Sequence, residues 1–128
     1  MSITAKNILA GKSVLVVEDE SLVGLFIQDM LVDIGCEAAG LAAHYEDALE
    51  KAQSLAFDVA ILDVNLAGRQ TFPIAQLISR RGLPFVFATG YGATGIPSAF
   101  ENVPVVRKPF EQHDLEAALR AALEPTAL

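Results

Sequence analysis

The chain has 128 residues, of which 52% are hydrophobic, so it can bury one substantial core and is too short for a second domain of similar size. Its formal net charge of −7 argues against nucleic acid as a partner, because contact with phosphate backbones requires clustered Lys and Arg. Cys36 is the single cysteine, which excludes an internal disulfide or a thiolate metal cage and is typical of a reducing cytoplasm.

Five short apolar runs predict β-strands, because they are rich in β-branched residues and are bounded by turn residues. In chain order these strands cover residues 13–17, 36–43, 58–62, 84–88 and 103–107. Helical patterns alternate with them at residues 20–34, 45–56, 72–81 and 111–123. Between the fourth and fifth strands, Pro97 and Pro104 leave room for about one or two helical turns, so the helix there is predicted to be short or irregular.

The helix at 72–81 has readable ends. Thr71 is a predicted N-cap, and Pro73 suits the first turn, where its missing N–H costs nothing. Arg80 lies near the negative end of the helix dipole, and Gly82 then stops the helix.

Apolar strands that alternate with helices predict a parallel sheet covered on both faces. The pattern favours a doubly wound, flavodoxin-like (βα)5 domain with strand order 2-1-3-4-5. We expect this domain to span residues 13–123, with residues 1–12 and 124–128 as tails. The uncharged window at 82–100 resembles a membrane span, but glycines and prolines interrupt it, so we expect no membrane segment.

Functional side chains are expected outside the carboxyl ends of the strands of such a sheet. Acidic residues follow two strands, a hydroxyl residue follows the fourth, and a lysine follows the fifth; they are Glu18, Asp19, Asp63, Thr89 and Lys108. Strands one and three are neighbours in the predicted order, so the three acids share one crevice. Glu18 and Asp19 could instead cap the following helix, but the five residues together favour a site.

A cluster of three carboxylates needs a compensating positive charge. At an effective dielectric constant near 20, two like charges about 4 Å apart cost roughly 4 kcal/mol. The cluster must therefore bind a cation or take up protons. Mg²⁺ is the predicted ion, because it prefers oxygen ligands and combines one or two carboxylates with waters and a phosphoryl oxygen.

The motifs VLVVEDE, ILDVNL, FATG and RKPF resemble those of response-regulator receiver domains, and the similarity extends from about residue 12 to residue 123. This resemblance implies that Asp63 accepts a phosphoryl group from a sensor histidine kinase or a histidine phosphotransfer protein. It also implies that Thr89 and Lys108 contact the phosphoryl oxygens. These residue types suit the chemistry, since a carboxylate can attack phosphorus while an ammonium and a hydroxyl stabilise the transferring group.

The resemblance also implies a metal set. Asp19 and Asp63 would bind Mg²⁺ together with the backbone carbonyl of Asn65, and Glu18 would act through metal-bound water. Ala67 stands where many receivers have Pro, a departure expected to affect the movement of this loop more than catalysis.

The string PFVFATGY resembles the defining string of the receiver subgroup called FAT GUY, which is often paired with histidine kinases of the HWE class. Val105 replaces the aromatic residue that common receivers carry three positions before the lysine, so a rotating ring at that position cannot couple to Thr89. Tyr91 is a candidate for that switch role, and its alternative is a simple surface aromatic.

These features predict a cytoplasmic, single-domain response regulator of two-component phosphorelay signalling that acts by phosphorylation-dependent docking. We expect no enzymatic activity beyond its own phosphorylation and dephosphorylation. The alternative is a pseudo-receiver, a non-phosphorylated interaction module, against which the presence of Asp63, Asp19, Thr89 and Lys108 argues. Monomer and dimer both stay open.

Three further patterns point to other functions, and each is incomplete. Residues 90–95 spell GxGxxG as in a dinucleotide-binding turn, but Pro97 prevents the sustained helix that such a turn must open. Residues 11–13 imitate the end of a P-loop but lack its earlier glycine. His44 and His113 have no third ligand at metal spacing, so a zinc site is not expected.

Overall fold

The computed structural model describes residues 7–124, so the predictions for residues 1–6 and 125–128 lie outside the described part. The strands are β1 Ser13–Val17, β2 Glu37–Ala42, β3 Val59–Asp63, β4 Asn65–Leu66, β5 Arg69–Gln70, β6 Phe85–Thr89 and β7 Val105–Arg107. The helices are α1 Ser21–Ile34, α2 Tyr45–Ser54, α3 Phe72–Arg80 and α4 Gln112–Leu123. A single turn of 3-10 helix, Ser98–Phe100, lies between β6 and β7.

A five-stranded parallel sheet forms the centre of the domain, with strand order β2-β1-β3-β6-β7. This confirms the predicted flavodoxin-like order 2-1-3-4-5, since β4 and β5 pair only with each other in a separate antiparallel hairpin. That hairpin was not predicted. The predicted element bounds differ from the observed ones by two residues or fewer.

Alternate residues of each strand face opposite sides of the sheet and build two hydrophobic clusters. Val14 and Val16 of β1 pack with α1 and α4 on one face, whereas Leu15 and Val17 pack with α2 and α3 on the other. All four side chains are buried. Helices therefore cover both faces, as the continuous apolar strands predicted.

The helix that was predicted to be short or irregular, between β6 and β7, is a single 3-10 turn, and an aromatic side chain of this turn covers the sheet. Between β6 and β7, Phe100 of the 3-10 turn stacks on Phe72 with ring centroids 6.0 Å apart. It meets Phe85 and Phe87 of β6 edge-on at 6.0 and 5.6 Å. Aromatic pairs at this separation add to the energy of burial. The aromatic cluster, Phe72, Phe85, Phe87 and Phe100, thus holds this segment on the sheet.

Residues 7–12, predicted to belong to an N-terminal tail, form a turn attached to the domain. Leu9 is fully buried in the hydrophobic cluster that β1 forms with α1 and α4. The amide of Gly11 donates a hydrogen bond of 2.8 Å to the carbonyl of Gly35. The domain boundaries stay a prediction.

The longest described helix, α1, has 14 residues, and no helix of residues 7–124 is long and apolar enough to cross a bilayer.

Candidate active site

The carboxyl ends of four neighbouring strands bring the predicted site residues to one edge of the sheet. Asp63 and Thr89 are the last residues of β3 and β6, rather than the first residues after them. In the parallel register, Asp63 pairs with Ala88, directly before Thr89, and Thr89 pairs with Arg107, directly before Lys108. Neighbouring strands therefore place these groups side by side.

Glu18, Asp19 and Asp63 form an acidic pocket in which one carboxylate oxygen from each lies within 4.8 Å of the other two. Glu18 and Asp63 are 2% and 6% exposed, and Asp19 is half-buried. Such proximity of buried carboxylates is unfavourable without a compensating positive charge.

Lys108 supplies part of that charge by bridging two of the carboxylates. Its Nζ lies 3.0 Å from Asp63 Oδ2, to which it donates a hydrogen bond, and 2.8 Å from Glu18 Oε1. The second contact is an ion pair without hydrogen-bond geometry, so buried Glu18 Oε1 has no hydrogen-bond donor within residues 7–124. Three carboxylates face one ammonium, and the pocket keeps an excess of negative charge.

Burial of Asp63 raises its pKa to about 7; the hydrogen bond from Lys108 works against this rise, and the carboxylate of Glu18 adds to it. For Lys108, burial disfavours the charged form, but the hydrogen bond that it donates to Asp63 and its attraction to the carboxylates of Glu18 and Asp63 outweigh burial and raise its pKa. Lys108 therefore stays charged, and the fold shifts Asp63 towards its protonated form.

The alternative role of the two acids as caps of α1 is not observed, because the N-cap residue is Glu20 and no side-chain hydrogen bond caps the helix. Glu18 Oε2 accepts a hydrogen bond of 3.1 Å from the amide of Glu20. Asp19 instead turns to the loop after β3, where its Oδ2 accepts a hydrogen bond of 3.1 Å from the amide of Ala67.

The backbone carbonyl of Asn65, a predicted metal ligand, lies in the hairpin that follows Asp63. Leu66 and Arg69 flank the two-residue turn and form the hydrogen-bonded pair at the end of the ladder. Because hydrogen-bonded and non-hydrogen-bonded pairs alternate in antiparallel strands, the next pair, Asn65 and Gln70, is a non-hydrogen-bonded one. The bond of 2.9 Å from the amide of Thr71 to the carbonyl of Val64, on the far side of that pair, agrees with this pattern. The ladder thus leaves the Asn65 carbonyl free.

These oxygens suit a hard divalent cation. The three carboxylates, their excess negative charge and the Asn65 carbonyl, which the hairpin ladder leaves free, match the all-oxygen ligand set that Mg²⁺ prefers. Carboxylate pockets of this kind are stabilised by the cation that neutralises them.

Thr89 is buried, and its Oγ1 accepts a hydrogen bond of 3.1 Å from the amide of Tyr91. Since the oxygen is held as an acceptor, the hydroxyl proton can be donated elsewhere. The ring of Tyr91 is 79% exposed, so the link between these two residues is through the backbone. The switch role of Tyr91 stays a prediction.

Thr71 is the N-cap residue of α3, as predicted, but its side chain makes no capping hydrogen bond. Its hydroxyl donates instead to the backbone carbonyl of Asp63 at 2.7 Å. The unpredicted hairpin brings this carbonyl within reach. No local sequence signal separates such a threonine from an ordinary N-cap, because both precede a helix.

The protein is a doubly wound α/β domain, and its lysine-bridged acidic pocket lies at the switch point of the sheet, where proteins of this class bind their ligands. Residues 14–120 match the family model described as the response regulator receiver domain, and the chain belongs to this family, the receiver domains of two-component response regulators.

The curated relatives that match this chain are longer than it is, and the match covers part of each. The chain is 28% identical over 116 residues to the transcriptional regulatory protein PdtaR of Mycobacterium tuberculosis, covering 88% of this chain and 57% of that protein. It is 32% identical over 110 residues to the sensory transduction protein LytR of Staphylococcus haemolyticus, covering 82% of this chain and 43% of that one. The chain thus spans about half the length of these relatives.

Solved structures agree over nearly the whole domain. SdrG of Sphingomonas melonis is 36% identical with a TM-score of 0.78, and the match covers 88% of this chain and 97% of SdrG. The receiver domain of the response regulator PhyR from Erythrobacter litoralis is 26% identical with a TM-score of 0.76, covering 93% and 98% of the two chains.

Proposed function

We propose that this receiver takes a phosphoryl group from a phosphohistidine onto Asp63 in a Mg²⁺-dependent reaction and signals by docking in its phosphorylated state. The observation that carries this proposal is the bridging of buried Asp63 and Glu18 by Lys108 beside Asp19. A structural ion pair needs one acid for one base, whereas this pocket keeps unneutralised acids around a carboxylate whose pKa is raised to about 7.

In the proposed transfer, a carboxylate oxygen of Asp63 attacks phosphorus in line, and the bond between phosphorus and the imidazole nitrogen of the donor breaks. The electron pair of that bond stays on the imidazole. The ammonium of Lys108 and the hydroxyl of Thr89 donate hydrogen bonds to the phosphoryl oxygens as charge develops on them. Hydrolysis follows when water attacks phosphorus and the bond to Asp63 breaks, which restores the carboxylate.

Asp19, Asp63 and the Asn65 carbonyl would hold Mg²⁺, with Glu18 behind them, and the ion would supply positive charge to the transferring group. Lys108 has a separate task, because its ammonium already lies 3.0 Å from Asp63 Oδ2. It stays charged throughout and orients the attacking carboxylate.

The surface beside the pocket fits the phosphoryl donor. A groove of about 430 Å³ lies between α1 and the loop after β7, and its lining includes Lys108 together with Phe26 and Phe110. Next to it, α1 exposes Leu22 and Leu25. Exposed apolar side chains that continue into a phosphoacceptor pocket suit an amphipathic helix that carries the phosphohistidine.

The donor in this proposal is a sensor histidine kinase or a histidine phosphotransfer protein. The string PFVFATGY supports the HWE class of kinases and membership of the FAT GUY subgroup. The protein would act in the cytoplasm and would be no enzyme towards other molecules, since it catalyses only its own phosphorylation and dephosphorylation.

Incubation with acetyl phosphate, followed by intact mass spectrometry, tests this proposal. With Mg²⁺, the wild type should gain the mass of one phosphoryl group, and EDTA should prevent the gain. Asp63→Asn should show no gain. Asp33→Asn, a matched change on the exposed surface of α1, should behave like the wild type. No gain by the wild type would favour the pseudo-receiver alternative, and a gain that persists in Asp63→Asn would place the phosphoryl group elsewhere.

A further inference from the structure

The β4–β5 hairpin, residues 65–70, is fastened to α2 by one arginine. The guanidinium carbon of Arg69 lies 3.6 Å from the centroid of the Tyr45 ring, in stacking contact. Its Nη1 donates a hydrogen bond of 2.9 Å to Glu46 Oε2. Leu66, directly opposite Arg69 in the hairpin, is fully buried. One pair of residues thus anchors the hairpin to both the core and α2.

At its tip, the same hairpin contacts the acidic pocket. Ala67 and Gly68 have φ values of 52° and 88°, the left-handed conformation that two-residue hairpin turns require. In this conformation, the amide of Ala67 donates to Asp19 Oδ2 at 3.1 Å. Proline could neither adopt a positive φ nor donate this hydrogen bond. The alanine at this position therefore links the hairpin tip to a predicted metal ligand.

We propose that Arg69 is a positioning residue of the metal site: by stacking on Tyr45 it holds the hairpin so that the Asn65 carbonyl and the Asp19 carboxylate are presented to the cation. The inference rests on the proposed function. Two ligands depend on the hairpin, one through its own backbone at Asn65 and one through the hydrogen bond from Ala67. Groups that orient metal ligands from outside the ligand set contribute strongly to metal affinity.

The stacking contact carries most of this role. Glu46 is highly exposed, and ion pairs between exposed side chains contribute little. Tyr45 is half-buried at the start of α2, where a planar guanidinium can stack and still donate hydrogen bonds. The ammonium of lysine lacks that planar face.

Because Arg69 is charged, its removal can distinguish electrostatics from positioning: the two effects change the affinity for Mg²⁺ in opposite directions. Removal of a positive charge near an acidic pocket should, by itself, strengthen binding of Mg²⁺. Loss of positioning should weaken it. Arg107→Ala is the matched control, since it removes the same charge from an exposed position beside Lys108.

Calorimetric titration with MgCl₂ should give a Kd for Arg69→Ala about tenfold higher than that of the wild type. Arg107→Ala should bind Mg²⁺ as tightly as the wild type or more tightly. Tyr45→Leu should reproduce the weakening, whereas Glu46→Gln should leave the Kd nearly unchanged. Arg69→Lys, which keeps the charge, should restore only part of the affinity.

A second measurement, made without metal, tests whether Arg69 holds the hairpin in place. In EDTA, amide hydrogen exchange at Ala67 should be faster in Arg69→Ala than in the wild type, while the amides of β3 keep their protection. An unchanged Kd in Arg69→Ala, with or without faster exchange, would overturn the positioning role, as would tighter binding that matches Arg107→Ala. Absence of Mg²⁺ binding by the wild type would overturn the proposed function and this inference with it.

Discussion

The hydroxyl of Thr71 donates a hydrogen bond of 2.7 Å to the backbone carbonyl of Asp63, and the two residues enclose the β4–β5 hairpin between them. Thr71 is fully buried, so this bond is shielded from water. The start of α3 is therefore tied to the backbone of the predicted phosphoacceptor.

Replacing Thr71 with Val should remove that hydrogen bond while keeping the shape of the side chain. We expect a loss of about 1–2 kcal/mol in the free energy of unfolding, because the buried carbonyl loses a donor. Phosphorylation of Asp63 by acetyl phosphate should slow as well. Urea denaturation and the rate of mass gain measure the two effects. Thr71→Ser keeps the hydroxyl and should therefore have the stability and the phosphorylation rate of the wild type. If Thr71→Val is phosphorylated as fast as the wild type, the hydrogen bond contributes to stability alone.

The raised pKa of Asp63 predicts a pH dependence of stability in EDTA. The fold favours the protonated carboxyl, so the stabilisation is complete below the ordinary pKa of 3.8 and is lost as the pH rises through about 7. The melting temperature of the wild type should therefore fall, relative to Asp63→Asn, between these two values. Mg²⁺ should remove much of the difference. Circular dichroism measures the melting temperature of both proteins at each pH. The prediction would be contradicted if the two melting temperatures changed equally with pH across this range.

Lys108→Met should destabilise the metal-free protein at pH 8, because two buried carboxylates lose the ammonium between them. We expect a loss of about 2 kcal/mol, which is less than for a fully buried pair since Lys108 keeps some exposure. Mg²⁺ should bind more tightly to this variant and recover part of the stability. Chemical denaturation with EDTA or MgCl₂ measures both. If Lys108→Met and the wild type were equally stable in EDTA, the ammonium of Lys108 would not be what compensates the negative charge of the two carboxylates.

Phe100→Ala should release the segment between β6 and β7. The ring is part of the aromatic cluster, and we expect a loss of about 2–3 kcal/mol, below the usual cost for a fully buried Phe. Tyr91→Ala, at a highly exposed ring, should cost far less.

Hydrogen exchange within residues 90–103 should already be fast in the unphosphorylated wild type, because its glycines favour open conformations. It should become faster still in Phe100→Ala. Strong protection of this segment in the wild type would contradict the glycine-based expectation. Unchanged exchange in the variant would show that Phe100 does not hold the segment.

The main elements could be predicted because their signals are local. The apolar run at 84–88 is bounded by turn residues, and the two prolines at 97 and 104 limit any helix between them. The observed β6 and the single 3-10 turn agree with both expectations.

The hairpin could not be predicted in the same way. Strands of two residues carry no periodicity, and alanine gives no warning of the positive φ observed at Ala67. The stacking of Arg69 on Tyr45 joins residues of separate elements, and only packing brings them together. The hydrogen bond from the Thr71 hydroxyl could not be predicted for a related reason: an N-cap side chain is expected to accept from helix amides that follow it, whereas this hydroxyl donates to a carbonyl eight residues earlier.

The alternation of strands and helices and the set of ionisable groups at the strand ends could be predicted, because periodicity and residue type are local properties. The strand order was predictable only through the doubly wound fold that this alternation favours. The bridging of Glu18 and Asp63 by Lys108, the hydrogen bond between Ala67 and Asp19, and the rise in the pKa of Asp63 on burial could be found only in the folded chain. These facts depend on distance and on exclusion of water. Both arise only when the register of parallel strands brings together residues that are far apart along the chain.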